Sequence, residues 1–248
     1  MLALLTNDDG YQAEGILRLA REMAKLCEVL VVAPTADQSG SGHSLTLQRP
    51  LRINKVREAF YHVDGTPTDA VMVALYGILK NRVPDILLSG INAGPNMGDD
   101  VTYSGTVAAA FEGAILGIPS IAISCIETEG ADFARAARFT RKLARKVLTK
   151  GLPEFSLLNV NIPNPRQGKY AGVKITRLGK RVYHDILVEN IDPRGKKYYW
   201  IGGEPEWEDF DHSDYSAITA GHISVTPLKM DMTDYKLREQ LSDWKLKP

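Results

Sequence analysis

Met1-Leu2-Ala3-Leu4-Leu5-Thr6-Asn7-Asp8-Asp9-Gly10 opens the chain, and the fold is read outward from it. The run from Met1 to Leu5 is continuously apolar and stops at a polar, glycine-containing turn, so it reads as a short buried strand. Two adjacent carboxylates stand directly behind it. Neighbouring negative charges repel, and desolvating them is costly unless something positive sits beside them. Where the chain leaves the pleat, both can turn toward one point, and the simplest positive partner there is a divalent cation. The alternative is that the pair caps a helix, because Asp suits an N-cap and Gly a turn.

The same alternation continues to about residue 165. Residues 14–27 carry an apolar stripe at helical spacing (Ile16, Leu19, Ala20, Met23), and 28–33 form a second strand ended by Pro34. A Gly- and Ser-rich segment, 39–44, leads to an expected strand pair around 45–56. A helix over 68–79 follows, with Thr66 or Thr68 as its cap. The pattern then predicts a strand at 85–89, a helix at 106–116, a strand at 118–125, a helix at 132–149 and a strand at 156–162. Strands and helices in this order imply a mostly parallel sheet with helices on both faces. The fold class is therefore α/β, a Rossmann-like three-layer core over residues 1–165.

Residues 166–248 differ. Residues 173–178, 183–189 and 197–201 read as antiparallel strands, the last two forming a hairpin with Tyr198, Tyr199 and Trp200 at its tip. One more strand, 222–227, and a terminal helix, 235–244, complete this extension. An aromatic arm leaving a core is expected to serve oligomerisation, since exposed apolar patches of this kind mark interfaces.

Lys plus Arg equals Asp plus Glu at 30 each, so no global basic field argues for a nucleic-acid polymer as partner. No run approaches the roughly 18 to 20 uninterrupted apolar residues of a membrane span. The N-terminus lacks the basic region and long apolar stretch of a signal peptide. Cys27 and Cys125 are far apart and read as buried small hydrophobes, which makes a reducing cytoplasm the expected location.

In an open parallel sheet, ligands bind outside the carboxyl ends of the strands. The unusual polar clusters all follow strands: Asp8 and Asp9, then Ser39 to Ser44, then Gly90-Ile91-Asn92-Ala93-Gly94-Pro95-Asn96. Two carboxylates, a Ser hydroxyl and an Asn carbonyl form an all-oxygen donor set, which favours Mg²⁺ or Mn²⁺ over zinc. The histidines (His43, His62, His184, His212, His222) show no metal-ligand spacing; His43 alone lies in the Gly-rich loop, where it could meet a phosphate. Tyr103-Ser104-Gly105-Thr106 leads into a helix apolar on all faces, whose first N–H groups need either a Ser or Thr cap or a bound phosphate. Asp99 and Asp100 read as solvated loop charges. No P-loop, GxGxxG, HExxH or GxSxG motif occurs where its mechanism would need it.

These residues resemble the SurE family, stationary-phase survival proteins that act as metal-dependent nucleotidases. The matching segments are LLTNDDG, VVAP followed by QSGSGHS, VDGTPTDAV, DILLSGINAGPNMGDDVTYSGTVAAAFEG and IPSIAIS, in order over most of residues 1–125. The resemblance implies hydrolysis of nucleoside 5′- and 3′-monophosphates, with some action on short polyphosphate, by a 5′-nucleotidase or acid phosphatase. It implies one divalent ion per subunit, Mg²⁺ or Mn²⁺, held by Asp8, Asp9, Ser39 and Asn92. Asn96, Ser104, Gly105 and Thr106 match the phosphate-contacting positions, and Asn7, Gly42 and His43 line the same pocket. Asp8 and Asp9 are the catalytic candidates. A homodimer or homotetramer with exchanged C-terminal elements is implied as well. The rival is a non-catalytic sensor that binds a nucleotide with metal and releases no phosphate.

Overall fold

The computed structural model describes residues 1–80, 82–126, 132–164, 169–183, 187–202, 205–208 and 210–244. The chain builds β1 (Leu2–Thr6), α1 (Glu14–Met23), β2 (Glu28–Pro34), β3 (Ile53–Arg57), β4 (Phe60–Val63) and α2 (Pro67–Met72). It continues through β5 (Ile86–Ala93), α3 (Gly105–Ile115), β6 (Ser120–Cys125), α4 (Phe133–Lys150) and β7 (Ser156–Ile162). The later segment adds β8 (Gly172–Ile175), β9 (Lys180–Tyr183), β10 (Leu187–Ile191), β11 (Lys197–Ile201), β12 (Pro205–Glu208), α5 (Asp214–Thr219), β13 (His222–Lys229) and α6 (Tyr235–Ser242).

Nine strands pair in the order β3-β4-β2-β1-β5-β6-β7-β13-β8. From β4 to β7 every neighbour is parallel; β3 on β4 and β13 on β7 are antiparallel. Successive strand residues face opposite sides, and β1 uses both. Ala3 and Leu5 pack with Ile16, Leu19 and Met23 of α1 and with Ala136 and Val147 of α4. Leu2 and Leu4 pack on the other face with Ala70 and Val71 of α2 and with Val107 and Ala110 of α3. A strand buried on both faces must be apolar throughout, which is why the opening run shows no alternation. Three layers result, as the pattern of elements implies.

Several details differ from the expectation. The strand pair near 45–56 lies later, at β3 and β4, joined through Ala59 in the left-handed region at φ 53°. Thr66 is the cap of α2 and forms a reciprocal box with Asp69, but the helix widens to π-type turns over Val73–Leu79. β8 was expected to be antiparallel; it runs parallel to β13, and both belong to the main sheet. Tyr198, Tyr199 and Trp200 lie within β11 rather than at the hairpin tip, which is the turn from Asp192 to Lys196. The expected strand at 183–189 divides into the end of β9 and β10; residues 184–186, His184 among them, lie outside the described residues, as does the expected boundary at 165–166. Patterning missed β12 and α5, both short, and the 3-10 turn Gly98–Thr102.

Candidate metal and phosphate site

β1 has β2 on one side and β5 on the other, so the sheet's connections diverge there and a crevice opens beyond the carboxyl ends. Asp8 and Asp9 emerge at that crevice. α1 is capped by Ala13 without a side-chain bond, so the acidic pair does not serve as its cap. Asp8 is 5% exposed and turns toward the start of α3. Its Oδ2 accepts from the backbone N–H of Thr106 at 3.0 Å, and its Oδ1 accepts from the Thr106 hydroxyl. Asp9 Oδ2 accepts a long hydrogen bond, 3.4 Å, from the Ala93 N–H at the end of β5.

No basic side chain pairs with either carboxylate among the described residues. The cost of that shows in their acidity. Burial pushes the Asp8 carboxyl above its ordinary 3.8, although the two Thr106 bonds oppose the shift. Burial, and then the charge of Asp8, push Asp9 up to about 6. Uncompensated negative charge facing a crevice is the environment a cation relieves. No third His, Cys, Asp or Glu completes a cluster among the described residues, so further donors would be neutral oxygens.

Such oxygens are at hand. Asp8, Ser39, Asn92, Asn96 and Ser104 line one cleft of about 260 Å³. Ser39 gives its hydroxyl proton to Asp37 at 2.6 Å, which leaves its lone pairs for another partner. Asn92 spends its amide N–H₂ on Gly94 O at 2.9 Å, which leaves its carbonyl oxygen available. The four positions fit a hard divalent ion by chemistry of the donor set.

Asn96 is fixed from beneath. Its N–H donates to Asn161 Oδ1 at 2.9 Å, its carbonyl accepts from Asn159 and Asn161, each at 2.8 Å, and its side-chain amide meets Ser124 Oγ at 2.7 Å. The side-chain amide donates one N–H to Ser124 Oγ, and its second N–H can serve the cleft. Ser104 caps α3 by accepting from Val107 N–H at 3.1 Å. Gly105 lies against Asp8: a Cβ there would be 2.7 Å from Ser41 Oγ and 3.1 Å from Asp8 Oδ2. Only a residue without a side chain lets the helix start come so close.

Other expected residues lie elsewhere. Thr106 gives both its donors to Asp8, so its observed contact is with the carboxylate. Asn7 is buried beneath the turn, bonding Gly10 O at 2.8 Å, and does not line the cleft. Gly42 donates to Tyr103 O at 3.0 Å, and His43 Nε2 sits 2.8 Å from Glu112 Oε2 on α3; both tie the loop down outside the cleft wall. Asp100 is the clearest reversal. Instead of a solvated loop charge, it lines the cleft and ion-pairs with Arg181 of β9. Tyr103 and Arg181 were not anticipated as lining residues. A lone Arg in a β-rich stretch offers no motif, and only the fold brings it back to the turn Gly98–Thr102.

Larger hollows, about 450 and 540 Å³, open around Ile115, Glu154 and Phe155, next to the starts of β6 and β7. They lie at the amino ends of these strands, away from the acidic pair, so chemistry rather than size selects the smaller cleft.

A family model described as "Survival protein SurE" matches residues 3–185. The chain belongs to the SurE family. It is similar to the 5'-nucleotidase SurE of Geotalea daltonii, 48% identical over 99% of this chain and 100% of that protein. The 5'-nucleotidase SurE of Aquifex aeolicus is also 48% identical, over 96% of each. The crystal structure of the SurE protein from Aquifex aeolicus superimposes with a TM-score of 0.89 at 46% identity, covering 99% of this chain and 100% of that one. SurE membership and the α/β architecture thus rest on sequence and shape together.

Proposed function

We propose that this chain is a metal-dependent 5′-nucleotidase that hydrolyses nucleoside monophosphates, 3′ as well as 5′, to nucleoside and phosphate, and also cleaves short polyphosphate. The observation that carries it is the adjacent pair Asp8 and Asp9, both desolvated and without a basic partner among the described residues: Asp8 lines a cleft with Ser39, Asn92, Asn96 and the start of α3, and Asp9 stands beside it against Ala93. Relatives named as 5'-nucleotidase SurE, matched over 96% to 100% of their length, support the reading.

In this reading Asp8, Asp9, Ser39 and Asn92 hold one Mg²⁺ or Mn²⁺. When bound, such a cation polarises phosphoryl oxygens and lowers the pKa of a water. The chain's own groups do the rest. Thr106 fixes the direction of Asp8 through two hydrogen bonds. The N–H groups of Ser104 and Gly105, which have no partner among the described residues, face developing negative charge at the positive end of α3. Asn96, locked by Asn159, Asn161 and Ser124, adds a donor that needs no reorganisation. Asp9 accepts one long hydrogen bond where Asp8 accepts two, so Asp9 is the less engaged carboxylate to take a proton from the attacking water.

The exposed hairpin, with Leu187, Ile191, Trp200 and Ile201 all more than 60% exposed, supports β10 and β11 as the part of residues 166–248 that joins subunits into a dimer or tetramer, while β8 and β13 complete the main sheet begun by residues 1–165. No helix among the described residues is long and apolar enough to cross a membrane, and both cysteines are free thiols. The free thiols support a cytoplasmic location.

The test is phosphate release from AMP, 3′-AMP and tripolyphosphate, with the protein stripped by EDTA and then given Mg²⁺ or Mn²⁺. Turnover should vanish on chelation and return with the ion. Nucleotide binding without phosphate release on long incubation would make the protein a sensor instead.

A further inference from the structure

We infer that Arg181 is a phosphate-binding residue of this site, delivered by the C-terminal segment opposite the acidic pair. The inference rests on the phosphomonoesterase reading and assigns a further contact within it.

Among the described residues lining the cleft, Arg181 is the one basic side chain. The wall otherwise offers Asp8 and Asp100 and neutral groups, so a phosphomonoester dianion entering it meets net negative charge. One divalent ion offsets the acidic pair but leaves little positive charge for the substrate. A guanidinium paired with Asp100 adds no net charge, but it brings directed, charge-assisted N–H donors to the wall. Its five N–H donors form a planar fork that can serve more than one acceptor at a time, a phosphate as well as a carboxylate.

The surroundings of Arg181 are built to hold it at the cleft. Its side chain is 22% exposed and ion-paired with Asp100. Its guanidinium carbon lies 5.6 Å from the ring centre of Trp207, its cross-strand neighbour on β12. Trp207 in turn stacks on Tyr215, ring centres 4.7 Å apart and planes 7° apart. Asp214, fully buried, accepts from Gly98 N–H at 3.0 Å and from Gly179 N–H at 2.8 Å. One carboxylate therefore clamps the turn that carries Asp100 to the strand that carries Arg181. Gly98, at φ +55°, makes this approach possible: a Cβ would lie 3.0 Å from both Gly179 O and the Trp207 ring. A surface ion pair would need none of this support.

The experiment measures the affinity of the Mn²⁺-loaded protein for inorganic phosphate by calorimetry, together with kcat and KM for AMP. Arg181→Gln should weaken phosphate binding by about 10- to 100-fold, the worth of a hydrogen bond to a charged group. The same variant should lower kcat/KM by about 10²-fold. Its Mn²⁺ affinity should stay within about twofold and its melting temperature within a few degrees of the parent. Arg181→Lys, which keeps the charge and loses the fork, should fall between the two. The double variant Arg181→Gln/Asp100→Asn should remain weak. Recovery of phosphate affinity in the double variant would mean that Arg181 only neutralises Asp100, and would overturn the inference. So would phosphate affinity within twofold of the parent in Arg181→Gln, or no phosphate binding by the parent. If the parent binds phosphate through Arg181 and yet hydrolyses no nucleotide, the nucleotidase reading fails while this one stands.

Discussion

The rim formed after β1, β2 and β5 and the segment beyond residue 165 solve the same problem in opposite ways. On the rim, backbone geometry comes first: parallel strands end together, and short-range loops carry Asp8, Ser39 and Asn92 to one place. In the later segment, long-range clamps come first. β9 is a short strand paired only to β12 among the described residues, and it reaches the cleft because Asp214 and Trp207 hold it there. The lesson is that the charge a cation would compensate is built locally, while the charge-assisted donor a phosphate would need is imported.

The sharpest way to break the comparison is Asp8→Asn. Removing a carboxylate from the rim should cut Mn²⁺-supported AMP turnover by about 10³-fold. Circular dichroism should show the fold unchanged, because a buried charge without a basic partner is being removed. Turnover within a few-fold of the parent would separate the rim from the chemistry. Thr106→Val keeps shape but withdraws the hydroxyl from Asp8. The loss of a group that orients a ligand predicts about 10-fold weaker Mn²⁺ binding, read by titration.

Acidity sharpens the contrast further. Asp8, Asp9 and the buried Asp214 all have folded pKa values above the ordinary 3.8, each chiefly through burial. A raised folded pKa means that the native state binds more protons than the unfolded chain, so stability falls as pH rises through that window. For Asp9 the window runs from 3.8 to about 6. The metal-free protein should therefore lose about 5 °C of melting temperature between pH 4.5 and 6.5 from this group. Asp9→Asn should flatten that part of the slope, measured by calorimetry against pH in EDTA. A slope of the same size in Asp9→Asn would assign the effect to Asp8 or Asp214. The smallest expected effect on chemistry belongs to the arm: Ile201→Asp should reduce the mass seen by light scattering and leave turnover per subunit within about threefold.

Much of the first region was legible because its signals are local. A short continuous apolar run such as Leu2–Leu5, stopped by a glycine turn, reads as a strand buried on both faces, and the turn after it carries its polar residues with it. The β3–β4 hairpin was displaced because its turn uses Ala59 in a left-handed conformation that Ala does not advertise. Thr106 reads as a phosphate contact from its place at a helix start, and only the packed structure shows Asp8 taking its donors. Asp100 and Arg181 are 81 residues apart. Nothing in the spacing of either reports the other, so a carboxylate that lines the cleft passed for a solvated one.

The order of the sheet has a temporal consequence. Among the described residues β8 touches the rest of the sheet only through β13, which is made about fifty residues later. As the polypeptide leaves the ribosome, the acidic rim can assemble early, but the strand leading to Arg181 has no seat until His222–Lys229 has emerged and paired with β7. A nascent chain halted before that point would display the carboxylates without their guanidinium, and the two halves of the cleft would mature at different moments of synthesis.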